Sequence, residues 1–152
     1  LDARPEILNH NMETVPRLFP AVRHQGDFER SLAILRRASE WSPNLITKSG
    51  IMVGLGETMD EVNGVLKRLR EVDCDVLTIG QYLRPSLKHR PVDRYVTPDE
   101  FASIKKRALE LGFRHVESGP LVRSSYHAES QVPGRGVIEP SLLVPLEDEQ
   151  LV

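Results

Sequence analysis

Apolar residues recur along this chain in two alternating rhythms. From Asp27 to Trp41, Phe28, Leu32, Leu35 and Ser39 fall on one side of a helical period, with Ile34 and Ala38 widening the stripe. Asp27 stands where an N-cap belongs. A second helix is predicted from Thr58 to about Val72. Thr58 and Glu61 have capping-box spacing, and Val62, Val65, Leu66 and Leu69 form its buried face. A third opens with Thr97 as cap, Pro98 at the first helical position and Glu100 completing the box. Phe101, Ile104, Ala108 and Leu111 make its stripe, and Gly112 is placed to end it.

Between the helices lie short runs of β type: Ile7-Leu8 leading into Asn9, Ile46 to Val53, Val76 to Leu83, and Phe113 to Val122. Strands that alternate with helices predict parallel βαβ units and an α/β fold. Right-handed connections bring the carboxyl ends of all the strands to one edge. Polar groups collect at that edge. Asn9-His10-Asn11-Met12-Glu13 follows the first strand, Gly54-Leu55-Gly56-Glu57 the second, Gln81 to Ser86 the third and Ser118 to His127 the last. In barrels and open α/β sheets the chemistry sits at this edge. Cys74 falls between a helix and the next strand, at the opposite rim, and reads as structural. Residues 129–152 show no periodicity, contain three prolines and an acidic cluster at Glu147-Asp148-Glu149, and read as a mobile extension. There is no internal repeat beyond the βα alternation.

Composition narrows the classes. The 152 residues are enough for one domain with its own core. A 39% hydrophobic and 28% charged content is that of a soluble globular chain. A net charge of −2 with the two signs interspersed argues against general affinity for nucleic acid or anionic membranes. No apolar run approaches the length of a spanning helix. One cysteine permits no internal disulfide, which suits a reducing, cytoplasmic setting. The start, Leu1-Asp2-Ala3-Arg4-Pro5, has neither the basic residues nor the apolar stretch of a signal peptide, and it lacks an initiator Met, as in a processed chain or a fragment.

Several motifs carry chemistry and a plainer alternative together. Gly54-Leu55-Gly56-Glu57 follows a strand and opens a helix, so its glycines permit close backbone approach to a ligand and the helix start favours negative groups. Its spacing is neither the dinucleotide fingerprint nor a phosphate loop, and taken alone it reads first as a tight structural turn. Asn11 and Glu13, two apart, point the same way if the strand persists, and an amide beside a carboxylate can grip a diol. The alternative is an Asx-type turn with His10 bonded locally. His10, His24, His89, His115 and His127 are scattered without the spacing of a metal site. Arg123-Ser124-Ser125-Tyr126-His127 lacks the glycine-flanked elbow of a hydrolase nucleophile.

Taken in order, these segments closely resemble lipoyl synthase, a radical S-adenosylmethionine (SAM) family. The matching stretches include Asn9 to Leu18, Thr47 to Met52, Gly54 to Glu57, Leu77 to Leu83 and Ser118 to Ala128. Thr78-Ile79-Gly80-Gln81-Tyr82-Leu83 and Gly119 to Tyr126 are the most specific; Asn-His-Asn-x-acid and Gly-Leu-Gly-Glu are shared in kind with biotin synthase, the runner-up identity. The resemblance implies that residues 1–128 form the C-terminal half of a partial TIM-type radical SAM barrel. It implies an enzyme, a sulfurtransferase, that inserts two sulfur atoms into an octanoyl chain on a lipoyl carrier domain, using SAM and two [4Fe–4S] clusters. Carried over residue by residue, Asn11 and Glu13 hold the ribose hydroxyls of SAM, and the loop with Gly54, Gly56 and Glu57 lines its adenine. Arg23, Lys48 and Ser49 are candidates for its methionyl end, and Ser125 is the serine ligand of the auxiliary cluster. The cysteine triplets of the family lie upstream of the region seen here, and Cys74 alone cannot replace them. The chain alone is therefore expected to be inactive. It acts with an N-terminal half, in the same or a second polypeptide, or it is a non-catalytic half-barrel. Arg90 stands where the family usually has leucine.

Overall fold

The computed structural model describes residues 5–42 and 44–125. Four parallel strands, β1 (Ile7–Asn9), β2 (Ile46–Val53), β3 (Val76–Gln81) and β4 (His115–Gly119), form one sheet in the order β1-β2-β3-β4. The connections carry α1 (Phe19–Val22) and α2 (Phe28–Trp41), then α3 (Met59–Glu71), then α4 (Pro98–Glu110). This is the α/β arrangement that the pattern predicts. The sheet is open: the outer edges of β1 and β4 pair with no strand among the described residues.

The helix starts follow from local chemistry. Asp27 accepts from Arg30 N, and both Thr58–Glu61 and Thr97–Glu100 form complete capping boxes. Gly112 ends α4 with φ at +96°, a conformation that glycine adopts without the Cβ penalty. The predicted stripes hold with two corrections. In α2, Ser31 is buried in place of Ile34, which is 39% exposed. Positions 31, 35 and 38 lie one above another on the helix, and position 34 falls outside that row. Leu111 serves as the C-cap of α4 and is only half-buried. The single turn α1 has no side-chain cap and too few residues to show a period.

Two strands are shorter than their apolar runs. β3 stops at Gln81 because Gln81 itself takes over the bonding there. Its Oε1 accepts from Val96 N, and its Nε2 donates to Tyr82 O and Arg94 O, which ties the connection 82–97 to the strand. β4 begins after the buried Phe113 and ends at Gly119, where the chain turns and Val122 N donates to Gly119 O.

Right-handed crossovers put the helices on one face of the sheet. Leu35, Leu66, Leu69, Phe101 and Ile104 pack there against Ile51, Val53, Leu77, Ile79 and Val116 in one buried cluster. Each such side chain contributes roughly 1.5–3 kcal/mol on burial. The pleat and the register turn Lys48, Val76 and His115 to the other face, with Gly50, Thr78 and Glu117 in the next layer and Met52, Gly80 and Gly119 above them. This inner face is polar where a sandwich would be apolar. The segment after β4 folds back across it. The Val122 carbonyl lies over Gly80, where a Cβ would meet it at 2.3 Å, and Lys48 donates from beneath to Ser124 O. The expected extension at 129–152 lies outside the described residues.

Candidate functional site

The carboxyl ends of the strands enclose a hollow of about 240 Å³. β1 ends at Asn9, but the chain continues along β2 as an irregular ribbon. His10 N donates to Lys48 O, Met12 N and Glu13 N both donate to Gly50 O, and Met52 N donates to Glu13 O. Two donors on one carbonyl mark a bulge, and Glu13 takes a left-handed φ of 68°. That conformation costs a non-glycine residue on the order of 1–3 kcal/mol and recurs at ligand sites. The kink sends Met12 fully into the core, where its N–H also meets Ser49 Oγ at 3.3 Å. Asn11 and Glu13 both line the hollow, although the strand does not persist through them. Asn11 Oδ1 is buried and has no hydrogen-bond partner among the described residues. An orphaned acceptor of this kind is uncommon in a buried position. Thr78, Gln81, Arg123 and Ser124 complete the polar part of the lining. Of these, Gln81 and the segment from Arg123 stand out in sequence only as members of polar clusters, and Thr78 reads as an ordinary strand residue.

The loop from Gly54 to Glu57 stands apart from the lining of that hollow. Gly54 has φ at +98°, and a Cβ there would lie 2.2 Å from Gln81 Nε2 and 2.5 Å from Arg94 O. Glu57 folds back on its own loop. Its two carboxylate oxygens accept from Gly54 N at 2.7 Å and Leu55 N at 2.9 Å, and the residue is 7% exposed. From outside, Arg90 Nε donates to Leu55 O and Asp93 N to Gly54 O, while Tyr82 Oη donates to Arg90 O.

No protein-family profile matches the chain. Curated relatives do. The chain is 61% identical over 131 residues to the lipoyl synthase of Rubrobacter xylanophilus, covering 86% of this chain and 41% of that protein. It is 62% identical over 132 residues to the lipoyl synthase of a Roseiflexus species, covering 87% and 44%. The lipoyl synthase of Koribacter versatilis gives 60% over 131 residues, covering 86% and 43%. The chain belongs to the lipoyl synthase family. It spans less than half the length of these relatives.

Lys48, Ser49, Arg23 and Ser125 lie outside the lining of the hollow. Lys48 is 4% exposed and donates to Ser124 O; burial lowers its pKa from the usual lysine value. Ser49 is fully buried against the Met12 N–H. Arg23 reaches the Asn11 carbonyl with Nη1 at 3.2 Å, and its side chain lines two neighbouring hollows, one beside His10 and one beside Tyr82 and His89. His10 is held below the usual imidazole range, first by burial and then by Arg23. Ser125 is exposed in the turn after Ser124.

Two cofactors of lipoyl synthase fare differently against these residues. A carboxylate, an orphaned amide oxygen and a guanidinium in one hollow fit a ligand with hydroxyls and a zwitterionic end. The described residues alone do not hold an iron–sulfur cluster. The described residues contain no group of three His, Cys, Asp or Glu placed to hold a metal ion. Cys74 lies beyond the amino end of β3, fully buried, with Sγ facing Thr47 O and Val76 O. Its thiol is pushed up to about 12, chiefly by burial and further by Asp75. A thiol so protonated is a poor metal ligand.

Proposed function

We propose that this chain supplies the SAM-binding part of a lipoyl synthase, an enzyme that inserts sulfur into an octanoyl chain carried on a lipoyl carrier domain. The observation that supports this reading is the convergence of Asn11 and Glu13 on one hollow, with a buried amide oxygen left to be satisfied. A carboxylate accepts from both hydroxyls of a ribose diol, and the neighbouring amide both donates and accepts. In this reading Arg23 and Ser49 act at one remove: they hold the Asn11 carbonyl and the Met12 N–H, and so fix the kink that aims the pair. Glu57 shapes the adenine-side loop from within rather than meeting the ligand with its carboxylate. Lys48 anchors the carbonyl that precedes Ser125, the proposed cluster ligand. SAM, when bound, supplies the sulfonium whose reductive cleavage begins the reaction. The clusters need thiolates that one cysteine cannot provide. A cysteine-bearing segment, in the same or a second polypeptide, is therefore part of the proposal, as is the barrel role of residues 1–128.

The test joins this chain to the cluster-bearing N-terminal portion of the Rubrobacter relative and follows lipoylation of an octanoylated carrier domain by mass spectrometry. SAM-dependent lipoylation is expected. Glu13→Ala should weaken SAM binding at least tenfold, the loss of about 1.4 kcal/mol, while leaving iron content unchanged. An unaltered SAM affinity would refute the ribose assignment. No lipoylation from the joined protein would favour the non-catalytic half-barrel.

A further inference from the structure

The hollow contains one fixed anion and one cation, and only the anion has a role so far. The cation is Arg123. Its Nη1 donates to the carbonyl of Val122 at 2.7 Å, and a Cβ on Gly80 would lie 3.3 Å from that nitrogen. The missing side chain of Gly80 therefore makes the bed on which the guanidinium rests, at the same rim as Asn11 and Glu13. A guanidinium has five N–H donors in a fixed fork. Among the described residues one is used, to Val122 O, and no ion pair joins Arg123 to Glu13. The basic and hydroxyl residues singled out by family resemblance for the methionyl end do not line this hollow. Lys48 is directed to Ser124 O, Ser49 to Met12 N and Arg23 to Asn11 O.

We propose that Arg123 binds the carboxylate of the amino-acid end of SAM, across the hollow from the ribose held by Glu13. This rests on the reading of the hollow as the SAM site and assigns that site a second charged contact. Glu13 and Arg123 together match a ligand that presents hydroxyl donors at one end and a carboxylate at the other. A guanidinium meets a carboxylate through two parallel N–H bonds, which a lysine in the same place cannot reproduce.

The experiment compares SAM with decarboxylated SAM, which keeps adenosine, ribose and sulfonium and lacks only the carboxylate. Equilibrium dialysis of each radiolabelled ligand against the 152-residue chain gives the ratio of the two dissociation constants. The parent should prefer SAM by about tenfold, as expected for a charge-assisted pair. Arg123→Met should bring the ratio close to one by weakening SAM alone, and Arg123→Lys should keep part of the preference. Glu13→Ala should weaken both ligands equally, since both carry the ribose. An undiminished preference in Arg123→Met would overturn the assignment of Arg123 and leave the hollow as the SAM site. A parent chain that binds neither ligand, or a Glu13→Ala chain that binds both as well as the parent, would overturn the site and Arg123 with it.

Discussion

Replacing Glu57 by glutamine keeps the size of the side chain and removes its charge, and so asks whether this glutamate serves its own turn or a ligand. In the folded chain both carboxylate oxygens are committed, to Gly54 N at 2.7 Å and to Leu55 N at 2.9 Å, in a site with 7% exposure. Hydrogen bonds to a charged group contribute roughly 1.5–3 kcal/mol each. Glutamine offers one carbonyl oxygen for one of the two N–H groups and sets its own amide NH2 against the other. The expected cost is one charge-assisted bond reduced to a neutral one plus one buried N–H left unpaired, together about 2–4 kcal/mol. Gly54 adds to the sensitivity, since its left-handed φ and the close approach of Gln81 Nε2 leave the loop no second conformation in the same space. A domain is stable by only about 5–15 kcal/mol. A loss of this size should lower the thermal midpoint by roughly 6–16 °C at about 3–4 °C per kcal/mol for a chain of this length. Far-ultraviolet circular dichroism melts of parent and Glu57→Gln measure it directly. An unchanged midpoint together with a collapsed SAM affinity would refute the reasoning, because the carboxylate would then be acting on the ligand and not on the turn.

Two further outcomes follow from charge and burial elsewhere. Native Cys74 should react with an aromatic disulfide reagent only as fast as the chain opens, since burial holds its thiol at about 12, and labelling should become immediate in urea; rapid labelling of the folded chain would contradict its placement. Glu61 and Glu100 are each held at about 2, below the ordinary glutamate value of 4.5, first by a side-chain hydrogen bond from Arg17 and Arg94 respectively and then by the N-cap backbone. Their folded values lie below the unfolded ones, so their contribution to stability is present above about pH 4.5 and is lost as pH falls toward 2. Both carboxyls are partly open to solvent and screened by salt, so the effect is small. Urea midpoints measured down this pH range should fall less steeply in Arg94→Met than in the parent, and parallel curves would disprove the pairing.

What the sequence discloses divides along physical lines. The starts of α3 and α4 are legible to the residue because a capping box is a local device: Thr58 with Glu61, and Thr97 with Glu100, need no tertiary partner. The strands are legible as apolar runs, but their ends are not. β3 stops where the side chain of Gln81 reaches Arg94 and Val96, residues of an aperiodic connection that no pattern links to it. Asn11 and Glu13 reach a common hollow as expected from their spacing, yet through a bulge and a left-handed glutamate rather than a continued strand. Glu57 shows the limit most clearly. Its position after a glycine loop reads first as part of a turn but also suits a ligand, and the two short bonds to its own backbone separate them. Arg123 needs Gly80 to lie down in the hollow, and the two are far apart in the chain.

The order of strands in the sheet is also their order in the chain. As the ribosome delivers such a polypeptide, each strand meets a neighbour that has already emerged, and none must be threaded between two that are already joined. Assembly can then advance as a single growing front, one strand and one helix at a time. Each parallel pairing must still close a long connection that carries a helix, which slows assembly. Its hazard is the front itself. Until the next strand arrives, the newest one presents a free row of peptide groups to any other extended chain nearby.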